Sequence, residues 1–245
     1  MNRINPKALI RRLRASLNRK IVVRRWRKVF KQRSTKDIFT MIYQEELWKG
    51  SESVSGYGSG MKYTENLQKA IVEIVNNFKI VSILDLACGD FNWMRYVVDK
   101  LPSSYLGVDI VVSLIEKNKL KHESDNVKFT TLDVINDEIP SANLVICRDV
   151  LFHLPNEDIL RIINKIVDSP SKYLLITNHI AMETDSFENT DISTGDFRRI
   201  DLFKPPFSLP KSFILNVDDW LYPDPPRTMI LFEVDQLRKE WKLVK

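Results

Sequence analysis

Hydrophobic positions change their period along this chain, and each change marks an element. From 64 to 78 the apolar residues Leu67, Ile71, Ile74, Val75 and Phe78 recur at three- and four-residue steps. That spacing predicts a helix, with Thr64 as its cap. Over 81–86 the pattern becomes a short, nearly continuous apolar run, as in a strand buried on both faces. Further strands of this kind are predicted over 105–110, 127–134, 142–147 and 173–177. Helical patterns separate them over 92–100 and 111–121, and again after Pro155, where Ile159, Ile162, Ile163 and Ile166 face inward.

Strands alternating with helices demand a mostly parallel sheet covered on both faces. Two more strands, 212–217 and 228–234, are separated by Pro223, Pro225 and Pro226 without a convincing helix, so they are expected to close the sheet as an antiparallel pair. The predicted fold is therefore α/β, a Rossmann-like doubly wound sheet of seven strands with an N-terminal helical extension.

Ahead of this domain the pattern differs. Asn5 and Pro6 suit a helix start, after which Ile10, Leu13, Leu17 and Ile21, then Val22, Trp26, Val29 and Phe30, form an apolar stripe among arginines. Residues 1–36 hold 14 Lys or Arg and no acid, leaving 23 basic and 32 acidic residues for the rest of the chain. The basic character belongs to the extension. Its stripe suits docking of residues 1–33 on an anionic membrane surface or an acidic partner, or packing on the chain's own domain. Nucleic acid is disfavoured, because only charge points to it.

A second amphipathic helix is expected over 37–49, with Ile38, Ile42 and Leu47 inward. Residues 51–60 then hold three glycines and four serines around Tyr57, which reads as a loop covering a ligand; a plain linker is the alternative. Three units follow: a basic extension (1–36), a helix with covering loop (37–63) and a catalytic-type domain (64–245).

Cys88 and Cys147 sit in apolar runs and make no disulfide framework, which favours a reducing cytosol. No run of 18 apolar residues and no secretion signal is visible, so a cytoplasmic protein is expected, peripheral to the inner membrane face if the extension docks there. With three scattered histidines and no cluster at ligand spacing, no metal site is expected. The sequence does not indicate an oligomeric state.

The candidate chemistry gathers at strand ends. The segment Ile83-Leu84-Asp85-Leu86-Ala87-Cys88-Gly89-Asp90-Phe91-Asn92-Trp93 reads as strand, tight turn and helix start, where small residues let a ligand approach the backbone. In doubly wound sheets ligands lie beyond the carboxyl ends of the strands, so Asp85, Gly89, Asp109, Asp133 and His153 should share one rim. A carboxylate such as Asp109 at the second strand's end can accept both hydroxyls of a ribose.

These motifs, with Gly107-Val108-Asp109, Leu132-Asp133-Val134 and the stretch from Val145 through Arg148, Asp149 and His153 to Leu154, resemble the class I S-adenosylmethionine-dependent methyltransferases over residues 64–245. The resemblance implies S-adenosylmethionine as cofactor, with Asp85 and Gly89 by its methionine part, Asp109 on the ribose and Asp133 near the adenine amino group. Ala87, Asp90 and Arg148 complete the expected rim, with Tyr57 and Gly58 covering it. Ala87 and Phe91 stand where the family's commoner pattern has glycine, so the turn is expected to leave by another route or to use the Phe91 ring as pocket wall. Trp93 is a further wall candidate, or ordinary core.

Trp48, the loop from Glu52 to Gly60, Asp90 to Trp93, and Asp201-Leu202 with Pro205-Pro206-Phe207 look more narrowly like methyltransferases of bacterial surface-polysaccharide biosynthesis. That resemblance implies O-methylation of a sugar or glycan-type acceptor. A hydroxyl acceptor makes a base useful, and His153 and His179 are the candidates. The polar stretch 180–204 is long enough to form an acceptor site, where Asn178 and Arg198 or Arg199 would grip a carboxylate or phosphate. Alternatives are a methyltransferase for another small molecule, a lipid or a protein, and a non-catalytic cofactor-binding assembly subunit. A nicotinamide oxidoreductase would show G-x-G-x-x-G, which is absent.

Overall fold

The computed structural model describes residues 29–30, 32–180, 186–221 and 224–241. The basic stripe over residues 1–28 lies outside them. Seven strands form one sheet: β1 (Ser82–Leu86), β2 (Ser104–Asp109), β3 (Val127–Thr131), β4 (Leu144–Cys147), β5 (Tyr173–His179), β6 (Leu215–Asp218) and β7 (Arg227–Glu233). Their spatial order is β3-β2-β1-β4-β5-β7-β6. The first five are parallel, while β7 pairs antiparallel with both β5 and β6. This is the expected Rossmann-like sheet with its antiparallel closing pair.

Among the described residues six helices accompany the sheet: α1 (Thr35–Gln44), α2 (Met61–Asn77), α3 (Met94–Val98), α4 (Val112–His122), α5 (Asn156–Asp168) and α6 (Val234–Glu240). Strand alternation divides the core in two. Leu84 and Leu86 of β1 point into one cluster with α5 and α6, whereas Ile83 points into the other with α2 and α3. On α5, Ile159, Ile162, Ile163 and Ile166 are fully buried, each burial being worth roughly 1.5–3 kcal/mol. A third, smaller cluster joins α1 to Trp48 and Phe30.

Several boundaries differ from the sequence expectation, each for a physical reason. α2 begins a turn earlier than Thr64, because the Glu52 carboxylate accepts the Met61 N–H at 2.8 Å and supplies a cap from outside the helix. Thr64 lies inside the first turn and donates its hydroxyl to the Gly60 carbonyl. α1 is capped by Ser34, whose Oγ accepts the Asp37 N–H, and ends at Gln44. α3 is short because Asn92 and Trp93 are still part of the turn, Asn92 donating to the Ser59 carbonyl at 2.9 Å. His122 ends α4 with its ring 5.3 Å from that of Phe91.

Candidate active site

The order of strands reverses between β1 and β4, which opens a crevice where ligands bind in open α/β sheets. The turn after β1 forms one lip. There Ala87, Gly89 and Phe91 have φ of 58°, 59° and 55°, so alternate residues all adopt the left-handed conformation. Only one of the three is the glycine that this conformation favours. The turn therefore does not leave by another route. Nor does the Phe91 ring line the cavity, since it is buried against Tyr105 and Phe129 with centroids 5.0 Å away. Trp93 is the aromatic that reaches the wall.

The space at this crevice comes to about 1060 Å³ with the open solvent at its mouth included. Its floor includes Asp85, Ala87, Gly89, Asp109, Asp133, Arg148, Asp149 and His153. Phe39, Ile42 and Tyr43 of α1, with Trp48, Val54, Ser55 and Ser59, form the opposite wall.

Two buried acids anchor the floor. Asp85 accepts the Tyr105 hydroxyl at 2.7 Å, and burial pushes its carboxyl up to about 7. Asp109 accepts the N–H groups of Gly89 and Val111; burial raises its carboxyl too, although those N–H bonds oppose the shift. Each Asp109 oxygen keeps a second lone pair, enough for two ribose hydroxyls. Apolar Ile110, Val111, Leu132 and Val134 beside it suit an aromatic base. The residues present thus fit a nucleoside-bearing cofactor.

His153 lies on the far side of the crevice. Its Nδ1 is 2.7 Å from the Asp196 carbonyl, and its ring stacks on Trp48 with centroids 4.2 Å apart. A carbonyl only accepts, so Nδ1 carries the proton and Nε2 keeps its lone pair. Burial pushes the imidazole down to about 4, so it is neutral across the physiological range.

A buried quartet of charges sits beside it. Arg148 donates Nε and Nη2 to the two oxygens of Asp219, at 2.8 and 3.0 Å, and Nη2 also to the Gly58 carbonyl at 2.8 Å. Asp149 is held by Arg148 at 3.2 Å and Arg227 at 3.1 Å. Asp149, Asp219 and Arg227 were not singled out in the sequence. Only Asp149, inside the Cys147–Leu154 motif, carried a signal; Asp219 and Arg227 lie in the proline-rich tail.

Other expected site residues are placed away from the cavity. Tyr57 is 65% exposed and points outward. Gly58 contributes its carbonyl to Arg148, not to the wall. The Asp90 carboxylate is spent on Ser53 Oγ and the Val54 N–H, which fastens the covering loop. Asn178 is buried and accepts the Leu202 N–H at 2.6 Å. His179 is the last residue of β5 and is buried, its Nδ1 accepting from Ile200 N–H at 3.3 Å, so it does not reach the cavity. Arg198 is buried with Nη2 on Asn156, and Arg199 packs over Phe187. Neither arginine lines the cavity.

Residues 186–204 supply framework to the core, and residues 181–185 of the 180–204 stretch lie outside the described residues. Ile200 and Leu202 enter the core, and Asn189 donates to the Asp201, Lys204 and Pro205 carbonyls. Asp133 lines the cavity, but its carboxylate caps the next turn through Ile135 N–H and Asn136 N–H. No group of three metal-ligating side chains occurs among the described residues.

Five parallel strands, a switch-point cavity floored by acids and an antiparallel closing pair define the Rossmann-like methyltransferase architecture. Residues 83–169 match the protein family described as a methyltransferase domain. The chain thus carries a methyltransferase-type domain, whose matched stretch runs from β1 to the end of α5 and includes the floor of the cavity. Among solved structures it is similar to PigF with SAH (TM-score 0.58, 18% identity, covering 88% of this chain and 68% of that one). It is also similar to magnesium protoporphyrin IX methyltransferase (ChlM) from Synechocystis PCC 6803 with bound SAH (TM-score 0.52, 13% identity, 78% and 91% covered). A third is the N-terminal domain of EvdMO1 in the presence of SAH and D-fucose (TM-score 0.51, 12% identity, 69% and 83% covered). At these identities the likeness is one of fold. No curated protein matches the sequence.

Proposed function

We propose that the protein methylates a hydroxyl oxygen of a sugar or glycan-type acceptor, with His153 as general base. The observation that carries this reading is the Nδ1 contact to the Asp196 carbonyl, which leaves Nε2 proton-free on a residue that lines the cavity. S-adenosylmethionine supplies an activated methyl group when bound. The chain's part is alignment, a dry pocket and a place for the hydroxyl proton. Trp48, stacked on the imidazole, fixes the ring plane, and Phe39, Ile42 and Trp93 exclude water. The sugar assignment rests on the narrower sequence resemblance.

Incubation of the full chain with methyl-labelled cofactor and cell extract, followed by mass spectrometry of the labelled product, tests this. A labelled carbohydrate is expected, formed about 100-fold more slowly by His153→Gln. Label in lipid, protein or a nitrogen-linked methyl group refutes the acceptor. Cofactor binding without transfer to any fraction favours the non-catalytic subunit instead.

Two further readings belong here. We read 37–63 as the covering segment of the cavity, because α1, Trp48 and Ser55 supply its outer wall. We read the basic extension as a peripheral anchor at the inner membrane face, because 14 cations stand among residues 1–36 with no acid. No helix among the described residues is long and apolar enough to cross a membrane. Deleting 1–28, which spares Phe30, should abolish binding to anionic vesicles. Undiminished binding removes the membrane role.

A further inference from the structure

We propose that Asp149 selects the charged methyl donor over its spent product, by presenting a carboxylate at the methyl end of the cavity. The inference rests on the methyltransferase reading of the same site. Transfer of the methyl group to the acceptor oxygen cleaves the carbon–sulfur bond, leaves both electrons on sulfur and removes the sulfonium charge. The hydroxyl proton passes to His153. A carboxylate near that sulfur therefore distinguishes the two forms by charge.

The sheet gives the direction. Asp109 ends β2 and Asp133 follows β3, so the nucleoside side of the cavity lies on one flank of β1. β4 is the strand on the other flank, and Asp149 and His153 follow it. The reacting centre must lie between the nucleoside side and the base, which is where Asp149 faces the cavity. Asp149 also has φ 56°, so both lips of the crevice turn through left-handed residues, Ala87 and Gly89 on one and Asp149 on the other. That strained conformation is fixed by the Thr177 Oγ1, which accepts the Asp149 N–H at 2.9 Å.

The remaining cavity acids are less suited to the task. Asp109 is buried on backbone N–H groups at the ribose position, and Asp133 is spent on its own turn. Asp85 is the other candidate, but burial raises its carboxyl to about 7, so near neutrality it is not a constant charge. Burial raises Asp149 as well, yet the adjacent Arg148 and Arg227 outweigh it and hold the carboxyl below the usual range. Arg148 also reaches the wall, but Asp219 and the Gly58 carbonyl occupy its Nε and Nη2. Arg227 and Asp219 lie behind the wall, so the quartet's exposed negative member is Asp149.

Calorimetric titration of the full chain with S-adenosylmethionine, S-adenosylhomocysteine and sinefungin tests the proposal without an acceptor. Sinefungin carries a protonated amine where the donor carries its methylsulfonium. Wild type should bind both cations about tenfold more tightly than S-adenosylhomocysteine. Asp149→Asn should erase that preference while changing S-adenosylhomocysteine affinity by less than about threefold, which also certifies its fold. Asp219→Asn perturbs the same two arginines from outside the cavity and should leave the ratio within about threefold.

An unchanged ratio in Asp149→Asn overturns the proposal, as does an equal loss in Asp219→Asn. If Asp149→Asn does not fold, the wild-type comparison decides: S-adenosylhomocysteine binding as tightly as both cations refutes it. Failure of wild type to bind any of the three removes the methyltransferase reading itself, and the proposal with it.

Discussion

Gly89→Ala probes the seam between the cofactor turn and the covering loop. A Cβ at Gly89 would stand 2.3 Å from Ser55 Oγ and 3.0 Å from Ser55 Cβ, at a φ of 59°. The left-handed conformation costs an alanine about 1–2 kcal/mol. Ser55 must also move, and its Oγ then loses the Asp90 N–H it accepts at 3.1 Å, worth about 1 kcal/mol. The expected destabilisation is about 2–3 kcal/mol, or roughly 4–12 °C in Tm for a domain of this size. Urea and thermal unfolding of Gly89→Ala, Ser55→Gly and the double variant give a cycle. Removing the Ser55 side chain first should recover about 1 kcal/mol of the Gly89→Ala cost, since the steric part then disappears. Strict additivity would show that the loop does not pack on Gly89 in solution, and would refute the closed covering segment.

Other outcomes follow from the same geometry. Ala87→Gly should stabilise by about 0.5–1 kcal/mol, because relief of the left-handed φ exceeds the added chain entropy. Phe91→Ala should destabilise by about 3–5 kcal/mol despite a comparable φ, because its ring fills the core beside Tyr105; denaturant midpoints decide both. Burial pushes His179 down to about 4, below its value of about 6.5 in the unfolded chain. Only the unfolded state takes up that proton between these values, so the stability advantage of wild type over His179→Gln should be constant above pH 6.5. It should fall as pH drops toward 4, and a flat difference refutes a buried neutral imidazole. Asp219→Ala strands two buried guanidinium groups and should cost about 3–5 kcal/mol by urea unfolding; a loss below about 1 kcal/mol would show that the quartet is solvated.

The sheet was legible because its signals are local. Each parallel strand is a short apolar run, each following helix has its own period, and the acids Asp85 and Asp109 stand at strand ends in the sequence itself. What failed to show depends on partners far along the chain. The start of α2 was displaced by Glu52, nine residues before the N–H it caps. The 180–204 stretch reads as polar because its polar residues are numerous; the inward bonds made to the backbone of 186–205, by Asn189 to the Asp201 carbonyl and by Asn178 to the Leu202 N–H, carry no local signal. Histidines 153 and 179 looked equivalent after adjacent strands; one backbone contact each, Asp196 O against Ile200 N–H, separates a cavity-facing nitrogen from a buried one.

The antiparallel closing pair has a role at the site as well as in the sheet. Arg227 opens β7 and Asp219 follows β6, so the hairpin delivers one cation and one anion to the rim where β4 ends. Arg148 and Asp149 leave β4 with the opposite charges in reach, and the four pair with one another while Asp149 keeps one side toward the cavity. Removing any one charge leaves a net charge on the buried three that remain, so the hairpin cannot shift along β5 without an electrostatic cost. The same quartet touches the loop before α2, since Gly58 gives its carbonyl to Arg148, and a Cβ at Gly58 would stand 3.1 Å from both Arg227 Nη2 and Asp149 Oδ2. A side chain at Gly58 would press on that ion pair. Closing pair, crevice and covering loop are thereby joined at one buried electrostatic centre. The turn after β1, with one glycine of three, is held by packing instead: the Phe91 ring sits against Tyr105 and Phe129, and Ala87 packs on the core cluster of Leu84 and Leu86, in a conformation their own backbones disfavour.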